Sequence, residues 1–98
     1  PPAGQASYAA AKSALLGLMK SLAQELGPRN IRVSAILPGF LETKMTTALP
    51  DSVKSSALKK HTLRRFNTPE AVADFITFLH WHMPHTSGQV FNLDSRIL

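Results

Sequence analysis

The sequence predicts an α/β fold, and three observations predict it. Two short runs rich in β-branched and apolar residues, Ile31 to Leu37 and Gln89 to Leu93, read as strands. The first carries apolar residues on both faces (Ile31, Val33, Ala35, Ile36, Leu37), the pattern of a buried strand in a parallel sheet. Between the two lie helical segments, and two strands joined by a helical crossover form a right-handed parallel unit.

The elements follow in order. The first helix is expected from about Ala6 to Leu26, because Leu15, Leu18, Leu22 and Leu26 recur at helical spacing and define one face. Leu16, Met19 and Ala23 widen that stripe, and Ala9, Ala10, Ala11 and Ala14 are strong helix formers. Ser7 is the expected N-cap. Gly27 is the expected left-handed cap, with Pro28 unable to continue the helix. Phe40 to Thr47 has no period and reads as a loop. Asp51-Ser52 is expected to cap a short helix through Lys60, in which Val53, Ala57 and Leu58 are too few for an apolar face. Thr68-Pro69-Glu70 is a helix start, with Thr as N-cap, Pro at the first position and an acid in the first turn. That helix places Val72, Ala73, Ile76 and Leu79 on one side and ends near His80; Gly88 then introduces the last strand.

Composition narrows the function classes. A chain of 98 residues is one small domain or a piece of a larger one. With 44% hydrophobic and 17% charged residues it has the makings of a folded interior, which argues against disorder. Its apolar runs fall well short of the ~20 residues of a membrane span. The absence of cysteine removes disulfide scaffolds, thiolate zinc sites and cysteine nucleophiles together. Eleven basic against six acidic residues give a formal charge of +5, which favours anionic partners. The chain opens on Pro1-Pro2 with no initiator Met, and is read as missing its beginning.

Tyr8 and Lys12, four apart at the start of the first helix, leave the same face. An ammonium near a phenol stabilises the phenolate and lowers the tyrosine pKa from its ordinary value of ~10. Such a tyrosine can give a proton to a carbonyl oxygen while hydride reaches the carbon. So short a spacing, taken alone, is more often two unrelated helix residues.

It does not stand alone. Gln5-Ala6-Ser7-Tyr8-Ala9-Ala10-Ala11-Lys12-Ser13-Ala14-Leu15, then Gly17, then Ile31-Arg32-Val33-Ser34-Ala35-Ile36-Leu37-Pro38-Gly39, resembles the short-chain dehydrogenase/reductase family. Within it, the sequence looks most like the β-ketoacyl-acyl-carrier-protein reductase and carbonyl reductase branch. Arg65-Phe66, Thr68-Pro69-Glu70-Ala71-Val72-Ala73 and Ser87-Gly88-Gln89-Val90 follow in the order that the family shows. The resemblance implies the C-terminal part of a Rossmann-like, doubly wound parallel sheet, spanning 1–98 as part of a single domain. The N-terminal dinucleotide-binding half would be absent, and Pro1 would fall in the loop between the family's catalytic Ser and Tyr8.

The resemblance also implies roles. Tyr8 would be the catalytic acid/base, and Lys12 the residue that lowers its pKa and hydrogen-bonds the nicotinamide ribose. Pro38 and Gly39 would end the strand at the cofactor, where ligands bind in open α/β sheets. Leu41 would offer backbone groups to the nicotinamide carboxamide, and Thr43 a hydroxyl to the carboxamide or diphosphate. Phe40 to about Leu63 would form the mobile substrate lid, with Phe40 and Met45 meeting an apolar substrate. Arg29 matches an arginine with which that branch docks acyl-carrier protein. The implied activity is NAD(P)H-dependent reduction of a carbonyl, a 3-oxoacyl thioester or related ketone, with NADP(H) favoured over NAD(H). The implied setting is fatty acid biosynthesis by a cytoplasmic homotetramer. The alternative is an inactive fragment serving as an oligomerisation or binding module.

Two stretches depart from the family pattern. Asp94-Ser95-Arg96 stands where Asp-Gly-Gly is common, which puts the tail conformation in doubt. His80-Trp81-His82-Met83-Pro84-His85 invites a metal, but no carboxylate or thiolate lies between the histidines, and no metal site is expected. Lys54, Lys59, Lys60, His61, Arg64 and Arg65 cluster around the lid. They read as a solvated surface or, more sharply, as a docking site for an acidic carrier protein that includes Arg64. The aromatics are not interleaved with them, so nucleic acid is not an expected partner, and no membrane is either.

Overall fold

Helix α1 (Ala6–Leu26) is followed by a 3-10 turn (Gly27–Arg29), strand β1 (Ala35–Leu37), helices α2 (Lys44–Thr47), α3 (Asp51–Lys59) and α4 (Pro69–His82), and strand β2 (Val90–Asn92). The structure, a computed structural model, describes residues 6–97. Gln5 at the head of the first motif, and the placement of Pro1 in a loop before Tyr8, lie outside the described residues. The strands pair in a two-stranded sheet. Ala35 N–H donates to Gln89 O and Leu93 N–H to Leu37 O, both at 2.9 Å, the slanted pattern of a parallel ladder. The expected α/β fold with parallel strands is what the described residues form.

The chain divides into two units, one of residues 6–35 and 85–91, the other of residues 36–84 and 92–97. In the first, α1 is long because alanine and leucine favour it, but its inward stripe differs from the expected one. Met19 is buried at 6% exposure, and Leu16, Leu22, Ala23 and Leu26 are half-buried, while Leu15 and Leu18 are exposed. The inward face thus runs through Leu16, Met19, Leu22, Ala23 and Leu26, all within the expected stripe, and leaves out its first two leucines. Ser7 is the second residue of α1, not its cap.

The left-handed cap also moves. Asn30, not Gly27, takes the left-handed conformation, at φ 59°. Asn30 N–H donates to Gly27 O and Ile31 N–H to Leu26 O, the paired bonds of a Schellman motif. Pro28 fits the first turn of the 3-10 segment, so the chain completes that turn before it breaks. The first strand is shorter than expected. Val33 N–H donates to Ser87 Oγ at 3.0 Å instead of to a main-chain carbonyl, and the regular ladder starts only at Ala35. The residues of β1 are half-buried.

In the second unit, Thr68 caps α4 by accepting from Ala71 N at 3.1 Å, with Pro69 and Glu70 in the first turn, as the sequence indicates. The helix runs two residues beyond His80. Its half-buried residues are Val72, Phe75 and Leu79, while Ala73 and Ile76 are exposed. Pro50 occupies the N-cap of α3, so Asp51 is its first residue and places a carboxylate at the positive end of the helix dipole. Thr43 and Thr46 form a reciprocal capping box that folds four residues of the expected loop into α2. Among the described residues no helix is long and apolar enough to cross a membrane.

Candidate active site

In the first unit, α1 carries Tyr8 and Lys12 one turn apart. The Lys12 Nζ lies 5.6 Å from the Tyr8 ring centroid, within cation–π range. Tyr8 is 62% exposed, so its hydroxyl is accessible from solvent. Arg29, at the end of the 3-10 turn, is exposed as well.

In the second unit, the segment that leaves β1 is held from several sides. Gly39 takes φ +80°, and a Cβ there would collide with the Cβ and carboxylate of Asp94. Glycine is required at this position both for conformation and for space. Phe40 stacks its ring on Phe66, centroids 4.7 Å apart at 35°. Leu41 pairs with Asn67 in an isolated parallel bridge. Asn67 N–H donates to Phe40 O and Glu42 N–H donates to Asn67 O, both at 2.9 Å. In that pattern the N–H and C=O of Leu41 itself point away from Asn67, and its carbonyl accepts from Thr46 Oγ1 at 2.7 Å. The Thr43 hydroxyl accepts from Thr46 N at 3.3 Å and so caps α2. Met45 is 80% exposed.

Arg64 has a local task. Its backbone is left-handed at φ 52°, and its guanidinium turns back onto the carbonyls of Leu58, Lys59 and His61 at the C-terminal end of α3. A cation there satisfies orphan carbonyls and complements the helix dipole. Lys59, Lys60 and Arg65 are exposed, as a solvated basic surface requires, and Lys54 is half-buried. His61 does not belong with them. It is buried at 2% exposure, a correction to its placement in the basic cluster.

His61 opens a group of residues that sequence reasoning missed. Its Nδ1 lies 2.8 Å from Ala57 O, which only accepts, so Nδ1 carries a hydrogen. Its Nε2 lies 3.5 Å from Phe40 N and 3.4 Å from Asp94 Oδ2. Asp94 is buried; Oδ2 also accepts from Arg96 Nε, while Oδ1 is buried with no hydrogen-bond partner. Asn67 completes the group, its Nδ2 donating to Pro38 O at 2.8 Å and Leu93 O at 2.9 Å. The visible signal was the unusual tail Asp94-Ser95-Arg96; nothing in the pattern marked His61 or Asn67 as internal. In α4, His80 packs edge-on against Trp81, and the ring of His82 lies tilted at 34° against that of Phe78. Among the described residues no three His, Cys, Asp or Glu gather as a metal site would need.

The sequence profile of the family described as enoyl-(acyl carrier protein) reductase matches residues 2–95. The 3-oxoacyl-[acyl-carrier-protein] reductase of Thermotoga maritima is 44% identical over 96 residues, covering 97% of this chain and 39% of that protein. Carbonyl reductase family member 4 of Xenopus tropicalis is 43% identical over 91 residues, covering 93% of this chain and 37% of that protein. Among solved structures, the 3-oxoacyl-[acyl-carrier protein] reductase of Brucella melitensis superposes with a TM-score of 0.80 at 36% identity, over 90% of this chain and 33% of that one. The chain thus spans less than half the length of the relatives it matches.

Proposed function

This chain belongs to the short-chain dehydrogenase/reductase family, and on that premise we propose that it carries the proton-transfer pair and the nicotinamide-end segment of an NADPH-dependent reductase of 3-oxoacyl thioesters. The observation that carries the proposal is the Lys12 ammonium beside the accessible Tyr8 ring on α1. A phenol with an ammonium beside it can give a proton to a carbonyl oxygen and leave a phenolate that the charge favours.

Within each unit the donors and acceptors are of the kinds that a nicotinamide dinucleotide pairs with. A primary carboxamide needs one acceptor and one donor side by side, and the Leu41 peptide groups turned away from Asn67 are of both kinds. Tyr8 and Lys12 carry the hydroxyl and ammonium that ribose hydroxyls pair with. Thr43 keeps a hydroxyl at the N-terminus of α2, although capping already engages that oxygen. When bound, the cofactor supplies the hydride that reaches the carbonyl carbon. The Tyr8 hydroxyl gives its proton to the carbonyl oxygen, so that the C=O bond becomes C–H and O–H. The phenolate left behind lies next to the Lys12 charge, which favours it by Coulomb attraction. Pro38 and Gly39 set where the strand ends, and Phe40 and Met45 face the apolar part of the substrate.

Replacement of Tyr8 by Phe tests this reading. The Tyr8→Phe protein should reduce a 3-oxoacyl thioester at least ~10²–10⁴-fold more slowly, the usual worth of a positioned acid, while binding NADPH nearly as before. Retained turnover would remove Tyr8 from the mechanism. A preference for NADP(H) rests on resemblance to the β-ketoacyl reductase branch, and equal turnover with NADH in the same assay would remove it.

A further inference from the structure

We propose that Asn67 is a positioning residue that sets the orientation of the Leu41 peptide groups; the proposal rests on the reading of residues 38–43 as the nicotinamide-end segment. Asn67 is half-buried and uses every polar group it has. Nδ2 spends its two hydrogens on the carbonyls of Pro38 and Leu93, at 2.8 and 2.9 Å. Oδ1 accepts from Thr68 N at 2.8 Å, which fixes the amide's orientation. The backbone N–H and C=O engage Phe40 O and Glu42 N.

The consequence is geometric. Pro38 and Leu93 are the residues just beyond β1 and β2, so one side chain pins the exits of both strands. With Pro38, Phe40 and Glu42 all bonded toward Asn67, alternation along the chain leaves the N–H and C=O of Leu41 on the opposite side. The main-chain bonds alternate in this way for any residue, but holding Pro38 and Leu93 at once needs a side chain that donates twice, and it is this that anchors the segment carrying Leu41. Aspartate has the same shape but no hydrogens to give, and would set a carboxylate against two carbonyl oxygens. Alanine removes the pin without adding a charge.

The experiment compares two ligands that differ only in the nicotinamide ring: NADPH and 2′-phospho-ADP-ribose. Binding of each is measured by calorimetry on the full chain of the enzyme, unsubstituted and as Asn67→Asp, with a thermal melt for each protein. The expected result is about tenfold weaker NADPH binding by Asn67→Asp, with 2′-phospho-ADP-ribose changed by less than about twofold. A cooperative melt should remain. Asn67→Ala should show the same ordering at smaller magnitude, and decides the matter if the Asp variant does not fold. Equal effects on both ligands, or none on either, would overturn the positioning role. If the unsubstituted protein binds neither ligand, the cofactor reading fails and the proposal fails with it; binding of 2′-phospho-ADP-ribose as tightly as NADPH would overturn the proposal alone.

Discussion

At the scale of single residues, the segment after β1 is shaped by what cannot be substituted. Gly39 lies against the buried Asp94 and takes a φ of +80°. Gly39→Ala would meet both obstacles at once: a left-handed backbone that costs a Cβ-bearing residue about 1 kcal/mol, and a collision with a carboxylate already fixed by Arg96 and His61. The expected loss is about 2–4 kcal/mol of unfolding free energy, measured by denaturant titration. A loss below about 0.5 kcal/mol would mean that Asp94 moves aside freely. The bonds of Asp94 Oδ2 to Arg96 and His61 make that movement costly, because moving aside breaks them inside the protein.

At the scale of elements, the turn from α3 to the Asn67 bridge depends on Arg64, an unusual residue for a left-handed position. Two contributions oppose each other there. The guanidinium caps the C-terminal end of α3, and the backbone conformation disfavours any side chain. Arg64→Ala loses the cap and keeps the backbone cost, whereas Arg64→Gly loses the cap and relieves the cost. The glycine variant should therefore be the more stable by about 1 kcal/mol in parallel thermal melts, and the reverse order would show that the turn changes shape without arginine. This turn also shows where sequence reading succeeds and where it stops. Thr68-Pro69-Glu70 was legible as a helix start because every part of the signal is local. The left-handed Asn30, the Arg64 turn and the Thr43–Thr46 box were not, because several residue types can fill such positions and neighbours decide between them. For α1 the period was legible and so was most of the face: Leu16, Met19, Leu22, Ala23 and Leu26 of the expected stripe are covered, whereas Leu15 and Leu18 are exposed. Of the proposed site, Tyr8, Lys12, Pro38 and Gly39 are drawn from motifs in the sequence, and their roles stand as a proposal. His61 and Asn67 were not legible, since burial of a lone polar residue has no periodic signature.

At the scale of the whole molecule, the formal charge of +5 is not spread evenly over tasks. Arg64 is committed to helix carbonyls and Arg96 to Asp94, which leaves Arg29 among the exposed cations available to an acidic partner. If the proposed substrate arrives on acyl-carrier protein, Arg29→Glu should lower kcat/KM for the carrier-bound thioester about five- to tenfold at low salt, with the deficit shrinking as salt is raised. The same variant should reduce a small, carrier-free thioester at the unsubstituted rate. Equal loss with both substrates would place Arg29 in folding rather than docking.

The pin made by Asn67 also has a consequence in time. Its side chain reaches Pro38 across 29 positions and Leu93 across 26, and Thr62 and Leu63 are tied to Ser95 across 33 and 32. Contacts of such separation cannot close until both ends exist and the intervening loop has been ordered. On the ribosome, then, residues 38–42 emerge before residues 93–95 and acquire their final shape only after those have left the exit tunnel. The segment proposed for the cofactor is thus set by residues that are made after it.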